Sequence, residues 1–362
     1  MNKLLYIAKR LVLGVPVILF GLTMTFLILF YSPFDPMSAI LGRDADPETA
    51  RQLAVSLGIR YPNGDPIPMW IRYRDFMVET MTFNFGQSWV VTRGQPVAQL
   101  VWERMPATIW LGSWSVLIAL LFGIPIGLYA GLNSNTWGDY TASFGGIVWR
   151  AMPNFWLAVM LAGFLSAGGA LSWYRGFLIP TDVIGTPNEL GHLFWGLAPF
   201  EGTPLAWFWI PIPRPRNMLV AFKWILPAAL VLGSSSMGNE VRIGRTAVLE
   251  SINSQYVETA KAKGLSARTI IGKHVARNAL IPLLPVIMGE FYLLIGGSIL
   301  VELIFGIRGL GNLYLSAIFA ADVPIIGALT FVFILILVFF NIAQDVAYTV
   351  IDPRIGLEGA SE

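Results

Sequence analysis

The sequence predicts an all-α integral membrane protein of about six spanning helices, and three observations predict it. Hydrophobic residues make up 55% of the 362 positions and charged residues only 13%, with a mean hydropathy of +0.64. That is more apolar surface than a soluble domain has core to hide. Several uncharged runs reach the roughly 20 residues that a helix rising about 1.5 Å per residue needs to cross a hydrocarbon core. The charges that remain are not scattered: one stretch, "YVETAKAKGLSARTIIGKHVARNALIPLLP", holds Lys261, Lys263, Arg268, Lys273, His274 and Arg277.

Taken in order, Lys3, Lys9 and Arg10 precede the first run, Leu11 to Phe34. This run is longer than a signal-peptide core and no small-residue cleavage site follows it, so it reads as a retained first helix. Met105 to Gly138, Ala151 to Tyr174 and Val323 to Gln344 are further spans. Asn217 to Gly238 carries only Lys223, near one end where its stem can snorkel, and Asn278 to Gly306 is interrupted by Glu290 and Glu302. Six spans put both termini on one side. The N-terminal cations, and the loop 241–278 with seven Lys/Arg against Glu250 and Glu258, make that side the cytoplasm of a multi-pass cell-membrane protein.

The organisation expected is residues 1–32 as an inner N-terminus and first span, 33–107 as an extracytoplasmic segment, and 108–171 as spans two and three. Residues 172–222 form a Trp/Pro-rich extracytoplasmic insertion, 223–356 spans four to six with the inner loop 241–278, and 357–362 a tail. In 33–107, "DPETARQLAVSLGIRYP" and "PMWIRYRDFMVETM" have helical apolar spacing and predict a small folded cap. In the insertion, Trp195, Trp207 and Trp209 suit the headgroup region, and a docking surface for an outer partner is the other reading. Prolines inside the spans, Pro125, Pro153 and Pro227 among them, predict kinks.

The basic stretch has internal grammar. The spacing of Val241, Val248, Ile252 and Tyr256 predicts one largely polar helix over 239–263 with an apolar stripe. Gly264 is suited to the left-handed turn that ends a helix, and Ser266 to capping the next, which leads into span five. Positive-inside anchoring on lipid phosphates accounts for the charge alone. It does not account for Glu258, Thr259 and Ala260, then Gly264 and Leu265, then Ile281 and Pro282, in that order.

That pattern resembles the cytoplasmic signature loop of binding-protein-dependent ABC transporter permeases, with Thr259 in place of the first alanine of the Glu-Ala-Ala element. "PFDPMSAILG", "NFGQSWVVTRGQPV", "ERMPATIWL", "MPNFWLAV", "VELIFGIRGLGNLYLSAIFAADVPII" and "DPRI" narrow the resemblance to the B-type subunit of the dipeptide, oligopeptide and nickel importer group. Phe34 stands where glycine is usual there, Arg308 where proline is, and Ala321 where arginine is. The resemblance implies a type I importer permease fold. It also implies a homologous second permease subunit, two ATPase subunits and an extracytoplasmic substrate-binding protein as partners. The residues it assigns to ATPase coupling are Glu258, Thr259, Ala260, Gly264, Leu265, Ser266, Arg268, Arg277, Asn278 and Pro282. Pro153, Phe155, Trp156, Glu302 and Phe305 are its pathway candidates, and peptides the cargo, with oligosaccharides or nickel complexes as alternatives.

The residues themselves bear on other classes. No G-x-x-x-x-G-K-[ST] loop is present, so ATP and Mg are expected on partner subunits and no cofactor on this chain. With no cysteine, two histidines and no HExxH, neither a metal site nor a nucleophile–base pair is expected. "GSSS" at 233–236 reads as small residues for helix packing. Glu290 and Glu302 lie 12 positions apart, about 18 Å and 120° on one helix, too far to act as a pair. Glu302 reads either as a pathway group or as a structural carboxylate near Arg308. An ATP-independent secondary transporter remains the rival reading; its inverted repeats are not visible.

Overall fold

The computed structural model describes residues 3–31, 40–42, 46–166, 168–175, 195–196, 212–213, 215–296 and 298–351. Most of the Trp/Pro-rich insertion and the tail therefore lie outside the described residues. The chain divides into two compact units, one of residues 1–105, 309–346 and 356–362, the other of 106–308 and 347–355.

Helix α1 spans Lys3–Tyr31 with Pro16 inside it. The two helices expected in the cap are present as α2 (Pro47–Ser56) and α3 (Met69–Met81). Asp46 starts α2 by accepting the Thr49 amide at 3.1 Å, with Pro47 at the first helical position, where its missing N–H costs nothing. Residues 97–132 follow as α4 (Val97–Ile118), a π-helical turn (Ala119–Gly123) and α5 (Ile124–Leu132). Pro125 lacks the N–H that an α-helical turn needs and crowds the carbonyl four residues back. The wider turn just before it accommodates both, within a run that stays one helix from Val97 to Leu132.

Span three is two helices, α6 (Trp137–Ala151) and α7 (Asn154–Leu165), bent by 93° at Met152–Pro153. A short turn of helix, α8 (Ser172–Arg175), opens the insertion. Strand pairing among the described residues is limited to Trp195–Gly196 with Ile212–Pro213 and two isolated antiparallel bridges, Arg60 with Pro66 and Gln87 with Pro96. Span four differs from expectation. Instead of a span ending at Gly238 and a separate helix over 239–263, α9 runs unbroken from Pro215 to Ile252, and α10 is only Gln255–Ala262. Thirty-eight residues make about 57 Å of helix, enough to cross the hydrocarbon core and project beyond it.

Beyond the inner loop, span five breaks into α11 (Ala267–Thr269), a π-helical turn (Ile270–Val275), α12 (Ala276–Ala279), α13 (Leu284–Gly296) and α14 (Ser298–Phe305). The last helices are α15 (Leu310–Ala320) and α16 (Val323–Ile351). Three single helices among the described residues are long and apolar enough to span, in α1, 97–132 and α16, and the count reaches up to six when each of three bent pairs (α6 with α7, α11–α12 with α13, α14 with α15) is one span; α9, the expected fourth span, is not in that count.

In the first unit, Leu29, Val97, Leu100, Leu310, Ile325 and Leu329 share a buried cluster. A β-carbon at Gly14 would meet Val338 at 2.8 Å, so α1 and α16 approach closely there. In the second unit α9 is the central helix. Lipid offers no hydrophobic drive between helices, so close approach through small residues has to hold them. A β-carbon at Gly233 would collide with the Ser115 carbonyl, and one at Gly238 with the Gly146 carbonyl. Gly233, the first residue of the "GSSS" stretch, thus sits at a helix contact, as expected.

Candidate functional site

The candidate site is the loop between α9 and α13. Its first helix, α10, ends in a complete Schellman motif. Gly264 adopts φ +73°, its N–H donates to the Lys261 carbonyl at 2.9 Å, and the Leu265 N–H donates to the Ala260 carbonyl at 3.2 Å. Ser266 then accepts the Thr269 amide at 3.3 Å and starts α11. The turn chemistry read from the sequence is therefore what shapes the loop. Space around the Gly264 α-carbon is open, with nothing within 4 Å of an added β-carbon, so the requirement for glycine there is conformational rather than steric.

Beneath the turn lies a small apolar core. Val257 and Ala260 from α10 are buried with Ala247 and Val248 of α9, Ile270, Val275 and Ala279, and with Leu128 and Leu132 of α5 alongside. A residue bulkier than alanine at 260 would lift α10 off this base. Asn278 fixes the far side by donating to the His274 carbonyl at 2.9 Å. Everything from Lys261 to Thr269 is exposed, as are Glu258, Thr259, Arg277 and Pro282. The arrangement is a short helix on a rigid footing that presents Glu258, Thr259, Gly264, Leu265, Ser266 and Arg268 outward. Of the ten residues expected to act in coupling, Ala260 and Asn278 belong to the footing and the rest to the exposed face.

Just below, Arg245 of α9 makes a bidentate pair with Asp139 at the start of α6, at 2.5 and 2.8 Å. Asp139 is fully buried and also accepts from the Asn135 amide at 2.9 Å and the Ser143 hydroxyl at 3.1 Å. One of the seven loop cations is thus a tie between helices rather than a surface charge. The sequence offered only a polar, turn-rich loop at this point.

The pathway candidates lie on or beside α7 and α14, two helices whose Leu157, Ala158 and Val301 share a buried cluster. Pro153 lies at the bend between α6 and α7, with Phe155 and Trp156 about half exposed on α7. Phe305 lines a cavity of about 270 Å³ with Trp224, Pro227, Ile304 and Ile307. Glu302 does not line it: the carboxylate is fully buried and accepts from the Thr108 hydroxyl at 2.9 Å, joining α14 to α4. Among the described residues no group of three or more His, Cys, Asp or Glu is placed to hold a metal. Glu240 was not singled out by the sequence, yet it is fully buried on α9 against Gly123 with neither carboxylate oxygen hydrogen-bonded.

Residues 123–357 match the family described as binding-protein-dependent transport system inner membrane component. Similarity to individual proteins extends over nearly the whole chain. The dipeptide transport system permease protein DppB of Alkalihalophilus pseudofirmus is 31% identical over 97% of this chain and 99% of its own length. The oligopeptide transport system permease protein AppB of Bacillus subtilis is 30% identical over 97% and 98%. The glutathione transport system permease protein GsiC of Salmonella typhi is 28% identical over 97% and 98%.

Proposed function

We propose that this chain, which belongs to the family of binding-protein-dependent transport system inner membrane components, is the membrane-spanning permease subunit of an ATP-binding cassette importer for peptides. The observation that carries the reading is similarity along 97% of the chain to permease subunits whose names specify dipeptide and oligopeptide transport. Their shared chemistry is a peptide backbone, which makes peptides a better-supported cargo than oligosaccharides or nickel complexes.

In this reading the chain is half of a translocation pathway, paired with a homologous second permease. It hydrolyses nothing itself. ATP and Mg are held by two cytoplasmic ATPase subunits, and an extracytoplasmic binding protein delivers the peptide. The loop 255–279 faces the cytoplasm with both termini, as the excess of Lys/Arg in 241–278 favours. The exposed run from Lys261 to Thr269 is then the contact with an ATPase subunit. Movement of that subunit is passed through Val257 and Ala260 into the end of α9, a 38-residue helix that reaches back among α5, α6 and α7. A rigid lever of this kind lets closure of one body bias opening of another.

The test is uptake of labelled di- and oligopeptides into vesicles that contain this chain with its neighbouring permease, ATPase and binding-protein genes. Uptake that requires ATP supports the importer. Uptake indifferent to ATP replaces it with a secondary transporter.

A further inference from the structure

We infer that the cap of the first unit holds a subsite for a short peptide with free termini, its carboxylate at Arg72 and its ammonium at Glu79. The naming of a peptide rests on the importer reading above; the recognition of a zwitterion rests on the geometry alone.

Two cavities flank α3, of about 250 Å³ and about 550 Å³, and both are bounded by Leu57, Glu79, Phe85, Trp89 and Pro324. Arg72 lines the smaller one. Arg72 and Glu79 lie seven positions apart on α3, two helical turns, so they share a face with about 10.5 Å between them along the axis. Among the described residues neither makes an ion pair within 4.0 Å. The Arg72 guanidinium is held 4.3 Å from the centroid of the Phe30 ring, which fixes its place. Asp75, between them, is already paired with Arg74 at 2.6 Å. Glu79 is thus the carboxylate left to take a cation, and partial burial, together with the Asp75 charge, raises its carboxyl above the ordinary range, which an arriving ammonium would relieve.

A simple anion would be repelled at the Glu79 end and a simple cation at the Arg72 end. A molecule that carries both charges, separated on the order of the roughly 10 Å axial offset between the two positions, satisfies both. At up to about 3.3–3.6 Å per extended residue, three residues span that distance. Phe76, Ile59 and Ile67 line the smaller cavity beside the polar Asp75, Thr80 and Asn84, and give apolar side chains a place to rest. The larger cavity, which Glu79 and Arg93 both line, leaves room for a further side chain.

The experiment uses the complete permease–ATPase complex in nanodiscs, without the binding protein. Titration calorimetry measures trileucine, its N-acetylated form and its C-amidated form, with empty nanodiscs as the blank. Each blocked form is expected to bind at least tenfold more weakly. Glu79→Gln should abolish the effect of acetylation but not of amidation, and Arg72→Gln the reverse; thermal melts establish that both variants fold. Equal binding of free and blocked peptides, no trileucine binding, or two variants that leave the pattern unchanged would each overturn the subsite. ATP-dependent uptake by the full system is measured in parallel. Uptake without cap binding removes the subsite and keeps the importer, whereas cap binding without ATP-dependent uptake keeps the subsite and removes the importer.

Discussion

Asp322 accepts a 2.6 Å hydrogen bond from the hydroxyl of Ser88, 234 residues earlier in the chain. The same carboxylate accepts the backbone N–H groups of Trp89, Val90 and Val91 at 3.2, 2.9 and 3.0 Å. It is fully buried, and Ala321 before it ends α15 in the left-handed conformation, φ 54°. A carboxylate with four donors is a clamp: it fixes the cap loop onto the start of α16. Hydrogen bonds to a charged group contribute about 1.5–3 kcal/mol each. Asp322→Asn is therefore expected to loosen residues 88–94, seen as faster proteolytic cleavage there. Ser88→Ala should do the same more weakly, since the three backbone donors to Asp322 remain, although the Thr92 amide also loses its acceptor at 3.0 Å. Unchanged cleavage in both would mean that the apolar contacts alone hold the loop.

The Asp139–Arg245 pair predicts a coupling energy. Removing one partner of a buried pair typically costs about 3–5 kcal/mol, because the other charge is stranded. With the Arg245 side chain 29% exposed, the lower end of that range is expected for Asp139→Asn. The double variant Asp139→Asn, Arg245→Gln should lose less than the two single variants together, as thermal unfolding in detergent would read. Additive losses would show that the two groups act independently.

Glycines on α6 and α9 should differ sharply from their neighbours. Gly238→Ala drives a methyl group into the Gly146 carbonyl, whereas Gly145→Ala meets nothing within 4 Å. The first is expected to reduce the yield of folded protein and its melting temperature, and the second to leave both unchanged. Equal tolerance of the two would mean that α9 and α6 are not closely packed in the membrane.

Glu302 and Thr108 make a buried acceptor–donor pair, and Gln at 302 keeps an acceptor for the hydroxyl. Glu302→Gln should retain peptide uptake. Thr108→Val, which removes this hydroxyl donor, should cost about 0.5–1.5 kcal/mol of stability. Loss of uptake in a stably folded Glu302→Gln protein would return the carboxylate to the pathway.

What was legible in the sequence follows the range of the interactions. Gly264 and Ser266 act through bonds three to five residues away, so their turn and cap could be read directly. Pro125 announced a departure from α-helical geometry because its effect falls on its own preceding turn. The continuity of α9 was hidden because the polarity changes at Gly238, Asn239 and Glu240, which looks like a boundary. In the structure Glu240 stays buried against Gly123 and the helix keeps its packing. Asp322 and Asp139 find their partners 234 and 106 residues away, and nothing local marks them as acceptors for those donors.

Under the proposed function the turn at Gly264 is a lever between ATP hydrolysis and transport, and its geometry allows a graded test. The site is sterically open, so only the positive φ penalises a side chain there. Asn tolerates this conformation and a β-branched residue does not. The measurement is ATP hydrolysis and peptide uptake by the same proteoliposomes carrying Gly264, Gly264→Asn or Gly264→Val. The account predicts near-normal uptake with Asn, and with Val a complex that still assembles and hydrolyses ATP but takes up little peptide. Uptake and peptide-stimulated hydrolysis that are both intact with Val would contradict it.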